Sequence, residues 1–142
     1  IRRQRQMCIR DRSQSVEKGF LCSGRVSHYP RGGGHYAKHS DPVDLEKCSI
    51  IVIMSKRGVD FETGGLYLEP KPGQILDVEP FVEPGDLIVF DQSVPHGVAP
   101  VDPHLGPELH WDDDRGRWMM FSTITRFNSF HGDLTGAAKS LA

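Results

Sequence analysis

Eight short segments rich in β-branched and aromatic residues recur along the chain, and most are separated by turn residues. They are FLCSGRVSH (20–28), GHYAKHS (34–40), CSIIVIMS (48–55), GGLYLE (64–69), QILDVEPF (74–81), DLIVFDQ (86–92), HGVAPV (96–101) and RWMMFSTITRF (117–127). Strand signals spaced by about ten residues predict an all-β sandwich or barrel. Eight strands in two sheets is the jelly-roll count. The unbroken run 48–55 predicts a central strand buried on both faces, and 117–127 is likewise apolar on both faces. No segment keeps an i, i+3, i+4, i+7 apolar pattern for three turns, so helix is confined to short pieces near Asp41–Lys47 and Leu134–Leu141. The longer connection DPHLGPELHWDDDRG (102–116) reads as an exposed loop, a rim or lid.

At 142 residues the chain has room for one domain with one core. Its 15 glycines and 10 prolines favour short elements and tight turns. No apolar run is long enough to cross a membrane. Cys8, Cys22 and Cys48 cannot close a disulfide framework and match no zinc spacing, which predicts reduced thiols and a cytoplasmic protein. The stretch IRRQRQMCIRDRS differs from the rest and resembles translated adapter sequence from the end of an assembled contig. It is set aside as a non-native or disordered segment, 1–13. That leaves 14–142 as a single, N-terminally truncated domain. Residues 1–13 hold five of the 17 basic residues and one of the 19 acidic ones. The remaining 12 and 18 give a formal net charge of −6, which offers no electrostatic basis for binding nucleic acid.

In YPRGGGHYAKHSDP (29–42), His39 and Asp41 are two residues apart. On an extended strand such residues point to one face. Imidazole and carboxylate could then reach one ion, with a third ligand supplied by a neighbouring strand. His96, which opens an apolar strand directly after a turn, is the natural candidate. Two histidines and one carboxylate on one face suit non-haem Fe(II), because three coordination positions stay open for co-substrate and O₂.

Several features recur in order: Tyr29-Pro30, the run Gly34-His35-Tyr36-Ala37-Lys38-His39-Ser40-Asp41, GGLYL, GDLIVFDQSVPHGVAPV and GRWMM. Together they resemble the 2-oxoglutarate- and Fe(II)-dependent dioxygenases, most closely the prolyl-hydroxylase-like branch. The resemblance implies a double-stranded β-helix, an all-β jelly roll of cupin-like type. It brings His96 beside His39 and Asp41 although 55 residues separate it from Asp41. It also implies 2-oxoglutarate as co-substrate, O₂ as oxidant and hydroxylation of an organic substrate, either a small molecule or a peptidyl residue.

The far carboxylate of 2-oxoglutarate needs a buried cation, for which a guanidinium is well suited. Relatives place it where a Gly-Arg or Gly-x-Arg opens the last strand, and Gly116-Arg117 matches. Arg117 lies 21 residues past His96, an excess that the 102–116 insertion explains. Arg126 and Arg115 are the alternatives, and strand parity does not decide among the three. Met119 stands where some relatives carry a helper serine. Tyr29, ten residues before His39, is the resemblance's candidate for a hydrogen bond to the co-substrate. Tyr36 reads as core or pocket wall. Gly32–Gly34 reads as a flexible rim over the substrate, which would sit between it, the 56–63 loop and the insertion. The remaining histidines read as structural or surface residues. Two other classes stay open: a cupin-like metal enzyme without 2-oxoglutarate, and a non-catalytic jelly roll that binds a ligand or partner.

Overall fold

The computed structural model describes residues 8–9, 20–43 and 46–126. Among these residues nine strands form two antiparallel sheets. They are β1 (Cys8–Ile9), β2 (Phe20–Pro30), β3 (Gly34–His39), β4 (Glu46–Ile53), β5 (Gly65–Lys71), β6 (Gln74–Asp77), β7 (Leu87–Phe90), β8 (His96–Val101) and β9 (Gly116–Arg126). The larger sheet runs β1-β2-β9-β4-β7 and the smaller β3-β8-β5-β6. The two sheets carry the jelly-roll arrangement expected from the strand rhythm. Two residues of the 1–13 segment, Cys8 and Ile9, pair with Arg25 and Gly24 at the edge of the larger sheet.

Register explains which side chains turn inward. In β2 and β9, Tyr29 opposes Arg117, Ser27 opposes Met119, Arg25 opposes Phe121 and Ser23 opposes Thr123. Across β9, Ile53, Ile51 and Ser49 of β4 continue the last three of these rows. Side chains alternate along a strand, so the odd-numbered residues of all three strands share one face. Ile51, Ile53, Met119 and Phe121 are buried there and pack with Leu66, Val98 and Val101 of the smaller sheet.

Three sequence expectations change. First, β4 is not buried on both faces: Ile51 and Ile53 are, but Ile50 and Val52 are half-buried and Met54 is exposed. Its β-branched run reflects strand propensity as well as burial. Second, no helix starts at Asp41, because Glu46 and Lys47 already belong to β4. The other expected helix, 134–141, lies outside the described residues. Third, the expected strand 74–81 stops at Asp77, and residues 79–81 form a short 3₁₀ turn with Pro80 inside it. Proline has no N–H for the ladder. The turn carries Glu79 into the interior, where it is 5% exposed.

The 102–116 segment is the exposed rim loop expected from the sequence, and it is pinned at several points. Its first residue, Asp102, is fully buried, and its carboxylate accepts hydrogen bonds from the Glu62 and Thr63 N–H groups and from Arg31 Nε at 2.7–2.8 Å. Burial opposes the Asp102 charge, but these donors outweigh it and hold its pKa below the ordinary carboxylate range. Further along, His110 N–H donates to Arg31 O, and Gly32 N–H donates to Asp102 O. Gly32 has φ +85°, and a Cβ there would lie 2.2 Å from Glu108 O, so only glycine permits this approach. The Gly32–Gly34 rim is therefore fastened to the insertion.

Candidate metal centre

β3 and β8 are neighbours in the smaller sheet, and His39 is the direct cross-strand partner of His96. Their ring centroids are 4.3 Å apart. β3 ends at His39, so Asp41 lies just past the strand and not on it. The residue before a proline is biased toward extended backbone, which suits Asp41 ahead of Pro42. Asp41 N–H also donates to Gln92 O at 3.0 Å, and Ser49 Oγ donates to Asp41 Oδ2 at 3.0 Å. The carboxylate is thereby turned to the same side as His39.

The three donor groups lie within 4.8 Å of one another. Asp41 Oδ1 is 3.6 Å from His39 Nε2, and Oδ2 is 3.6 Å from His96 Nε2. These separations are too long for hydrogen bonds and short enough for the three groups to share an ion. In both histidines Nδ1 is 3.0 Å from the carbonyl two residues back, Ala37 O for His39 and Val94 O for His96. A carbonyl can only accept, so Nδ1 carries the proton and Nε2 presents its lone pair. Desolvation lowers the His96 pKa, against a smaller opposing pull from the Val94 carbonyl, which favours the neutral, ligating imidazole. Phe90 meets the His96 ring edge-on at 4.8 Å, and Tyr36 does the same to His39 at 4.7 Å. Gly97 leaves room beside His96, since a Cβ there would sit 2.6 Å from the Tyr67 hydroxyl.

A cavity of about 670 Å³ runs between the sheets. His39, His96, Tyr36 and Tyr29 line it, together with Ile51, Leu66, Met119 and Phe121. Pro107, Leu109 and Trp111 of the insertion and Gly32–Gly34 contribute the rim. No side chain of the 56–63 loop lines it, contrary to the sequence expectation. Phe61 of that loop is a core residue instead. Tyr36, expected as core or wall, is a half-exposed wall residue.

Arg117 follows Gly116 at the start of β9 and is 1% exposed. Its Nε donates to Glu79 Oε1 at 2.5 Å, and the second acceptor role of Glu79 is toward Leu66 N–H at 2.7 Å. Its Nη1 and Nη2 are buried without a hydrogen-bond partner. Leaving charged donors buried and unpaired is costly, so an anion that reached this end of the guanidinium would be held strongly. The guanidinium carbon stands 5.8 Å from the Tyr29 ring centroid. Burial raises the Tyr29 pKa, partly offset by Arg117 and Arg25, so the phenol keeps its proton and can donate. Arg115 points elsewhere: it is exposed and paired to Asp113 at 3.0 Å. Of Arg126 only the backbone is described, at the opposite end of β9 across from Phe20.

Ser49 and Glu79, which orient Asp41 and Arg117, carried no recognisable signal in the sequence. Ser49 sits inside an apolar strand, and Glu79 inside what read as a strand.

The fold is that of the 2-oxoglutarate/Fe(II) dioxygenase and cupin-like group. A prolyl-4-hydroxylase from Pseudomonas putida is similar at 25% identity and a TM-score of 0.57, covering 80% of this chain and 56% of that one. The chain thus spans little more than half of that protein's length. Lower similarity is found to a prolyl hydroxylase from Trichoplax adhaerens, in complex with a hypoxia inducible factor oxygen degradation domain peptide fragment (19% identity, TM-score 0.48, 78% of this chain and 46% of that one). KdgF from Halomonas sp. follows at 14% identity and a TM-score of 0.45, over 82% and 89%. No family model and no curated protein matches the sequence. Among the described residues no helix is long and apolar enough to cross a membrane.

Proposed function

We propose that the protein is a non-haem Fe(II) dioxygenase that couples oxidative decarboxylation of 2-oxoglutarate to hydroxylation of an organic substrate. The observation that carries this reading is the buried Arg117, whose two terminal nitrogens lack partners and whose guanidinium carbon is 5.8 Å from the ring of Tyr29, a residue that lines the cavity together with His39 and His96. A metal site alone would not require it. His39, Asp41 and His96 would hold the metal by Nε2 and carboxylate oxygen. Arg117 would take the distal carboxylate of 2-oxoglutarate in a two-pronged, charge-assisted contact. Tyr29 would donate its phenolic hydrogen to the co-substrate. Bound iron and 2-oxoglutarate supply the activation of O₂ needed to hydroxylate carbon.

The chain's own contribution is orientation and exclusion of water. Ser49 steadies the Asp41 carboxylate and Glu79 steadies Arg117. Ile51, Leu66, Met119 and Phe121 keep the cavity wall apolar. The substrate is a small molecule or a peptidyl residue entering past the rim of Gly32–Gly34 and Trp111.

The test is anaerobic addition of Fe(II) and then 2-oxoglutarate, monitored for the visible metal-to-ligand charge-transfer band. A band that needs both additions and is lost in His39→Ala supports the reading. Metal binding without the band favours a cupin-like enzyme that does not use 2-oxoglutarate. Folded protein that binds no metal favours a non-catalytic jelly roll.

A further inference from the structure

One guanidinium lines the cavity directly. Arg25 projects from β2 onto the inner face, lines the cavity and stands 4.8 Å over the ring of the buried Phe121. It is close enough to Tyr29 to pull on its ionisation. Among the described residues no carboxylate pairs with it. The cavity lining includes no acidic side chain either; its ionisable members are Arg25, His28, His35, His39, His96 and the two tyrosines. Arg25 is solvent-exposed, and a guanidinium steadied over an aromatic ring on the open side of a cavity with no acidic lining is free to pair with an incoming anion.

The register separates this group from Arg117. Arg25 opposes Phe121, four residues along β9 from Arg117, or about 13 Å of extended chain. Ser49, which holds Asp41, opposes Thr123, only two residues beyond Phe121. Arg25 is thus rooted nearer the metal set than Arg117 is. One 2-oxoglutarate has two carboxylates, and the proposed site already places one on the metal and the other on Arg117. The Arg25 charge is left over.

We propose that Arg25 binds a carboxylate of the substrate itself, so that the enzyme acts on a carboxylic acid whose hydroxylated carbon is set at a fixed distance from that anchor. This rests on the dioxygenase reading. The same chemistry could come from a free amino or organic acid or from an acidic side chain in a peptide.

The test uses anaerobic protein loaded with Mn(II) and 2-oxoglutarate. It is titrated calorimetrically with the free L-amino acids, with their carboxamides, and with a capped Ala-Pro-Glu-Ala peptide beside its Gln counterpart. Expected is binding of at least one acid and not of its amide. Arg25→Gln should weaken it roughly ten- to hundred-fold, the worth of a charged hydrogen-bonded contact. Arg25→Lys should recover part of the loss, and 2-oxoglutarate affinity should stay within about twofold in both variants. Free acids responding alone identifies a small-molecule substrate; the Glu peptide responding alone identifies a peptide. Three results overturn the assignment: amides binding as well as acids, no acid binding at all, or Arg25→Gln losing 2-oxoglutarate instead. Wild-type protein that fails to load 2-oxoglutarate sinks the dioxygenase reading separately, before any probe is added.

Discussion

The candidate metal centre is the more open end of the site, the mouth, with the His39, Asp41 and His96 side chains 32%, 15% and 6% exposed, whereas Arg117, the floor, is 1% exposed and lies outside the cavity lining. The mouth meets its polar needs locally: each imidazole donates to a carbonyl two residues back, and Asp41 takes a hydroxyl from the adjoining strand. The floor depends on distant partners. Arg117 reaches Glu79, 38 residues away, and still leaves two nitrogens unpaired. A site open to water can rest empty at little cost. A buried cation with unpaired donors is expensive to maintain without its anion. The two ends should therefore respond differently to substitution, the floor through both stability and ligand affinity, the mouth through metal affinity alone.

The largest effect is expected at Arg117→Met. Removing one partner of a buried ion pair costs about 3–5 kcal/mol, because Glu79 is stranded. Urea unfolding of the metal-free protein would read this. The same variant should lose roughly a hundred-fold in 2-oxoglutarate affinity, from the loss of a charge-assisted contact. Its metal affinity should hold, as calorimetry would show. Unchanged 2-oxoglutarate affinity would make the floor a structural ion pair and erase the contrast.

Ser49→Ala sharpens the other side. It removes the hydroxyl that orients Asp41 and should weaken metal binding roughly tenfold, while stability changes by no more than about 1 kcal/mol. A metal titration and a melting curve on the same preparation decide it. A large stability loss with intact metal affinity would show that Ser49 belongs to the core and not to the site.

The smallest effect is a pH dependence at the rim, on neither end of the comparison. His28 lines the cavity beside Trp111, opposes Trp118 in β9, stacks on the Trp118 ring at 4.0 Å and hydrogen-bonds Arg115 O. Desolvation lowers its pKa below 6.5, against the opposing pull of the Arg115 carbonyl, Asp114 and Asp113. Below pH 6.5 the unfolded chain then binds more protons at this position than the folded one, so stability falls as pH falls toward the folded pKa. His28→Phe should flatten that part of the profile, read from urea midpoints across the pH range. A midpoint that rises on acidification in the wild type and not in the variant would reverse the sign assigned here.

The strand rhythm and the nearly adjacent pair His39 and Asp41 were legible because both are local. Alternation and turn chemistry act over a few residues, and two candidate ligands two residues apart need no knowledge of the rest of the chain. His96 and Arg117 were reachable through the order of motifs, since each opens a strand after a turn. Arg117 was favoured over Arg115 and Arg126 by the Gly-Arg context that opens the last strand, while strand parity was not legible. A strand apolar on both faces hides which parity is buried, and only pairing with β2 and β4 turned the odd positions of β9 inward. Ser49, Glu79 and Arg25 were hidden for the same reason. Their roles are set by what lies across a sheet or a cavity from them, and sequence distance carries no record of that. The local pattern therefore determined the elements and the His39 and Asp41 pair, while cross-strand register, which sums hydrogen bonding over whole strands, decided which charged side chains turn to the inner face.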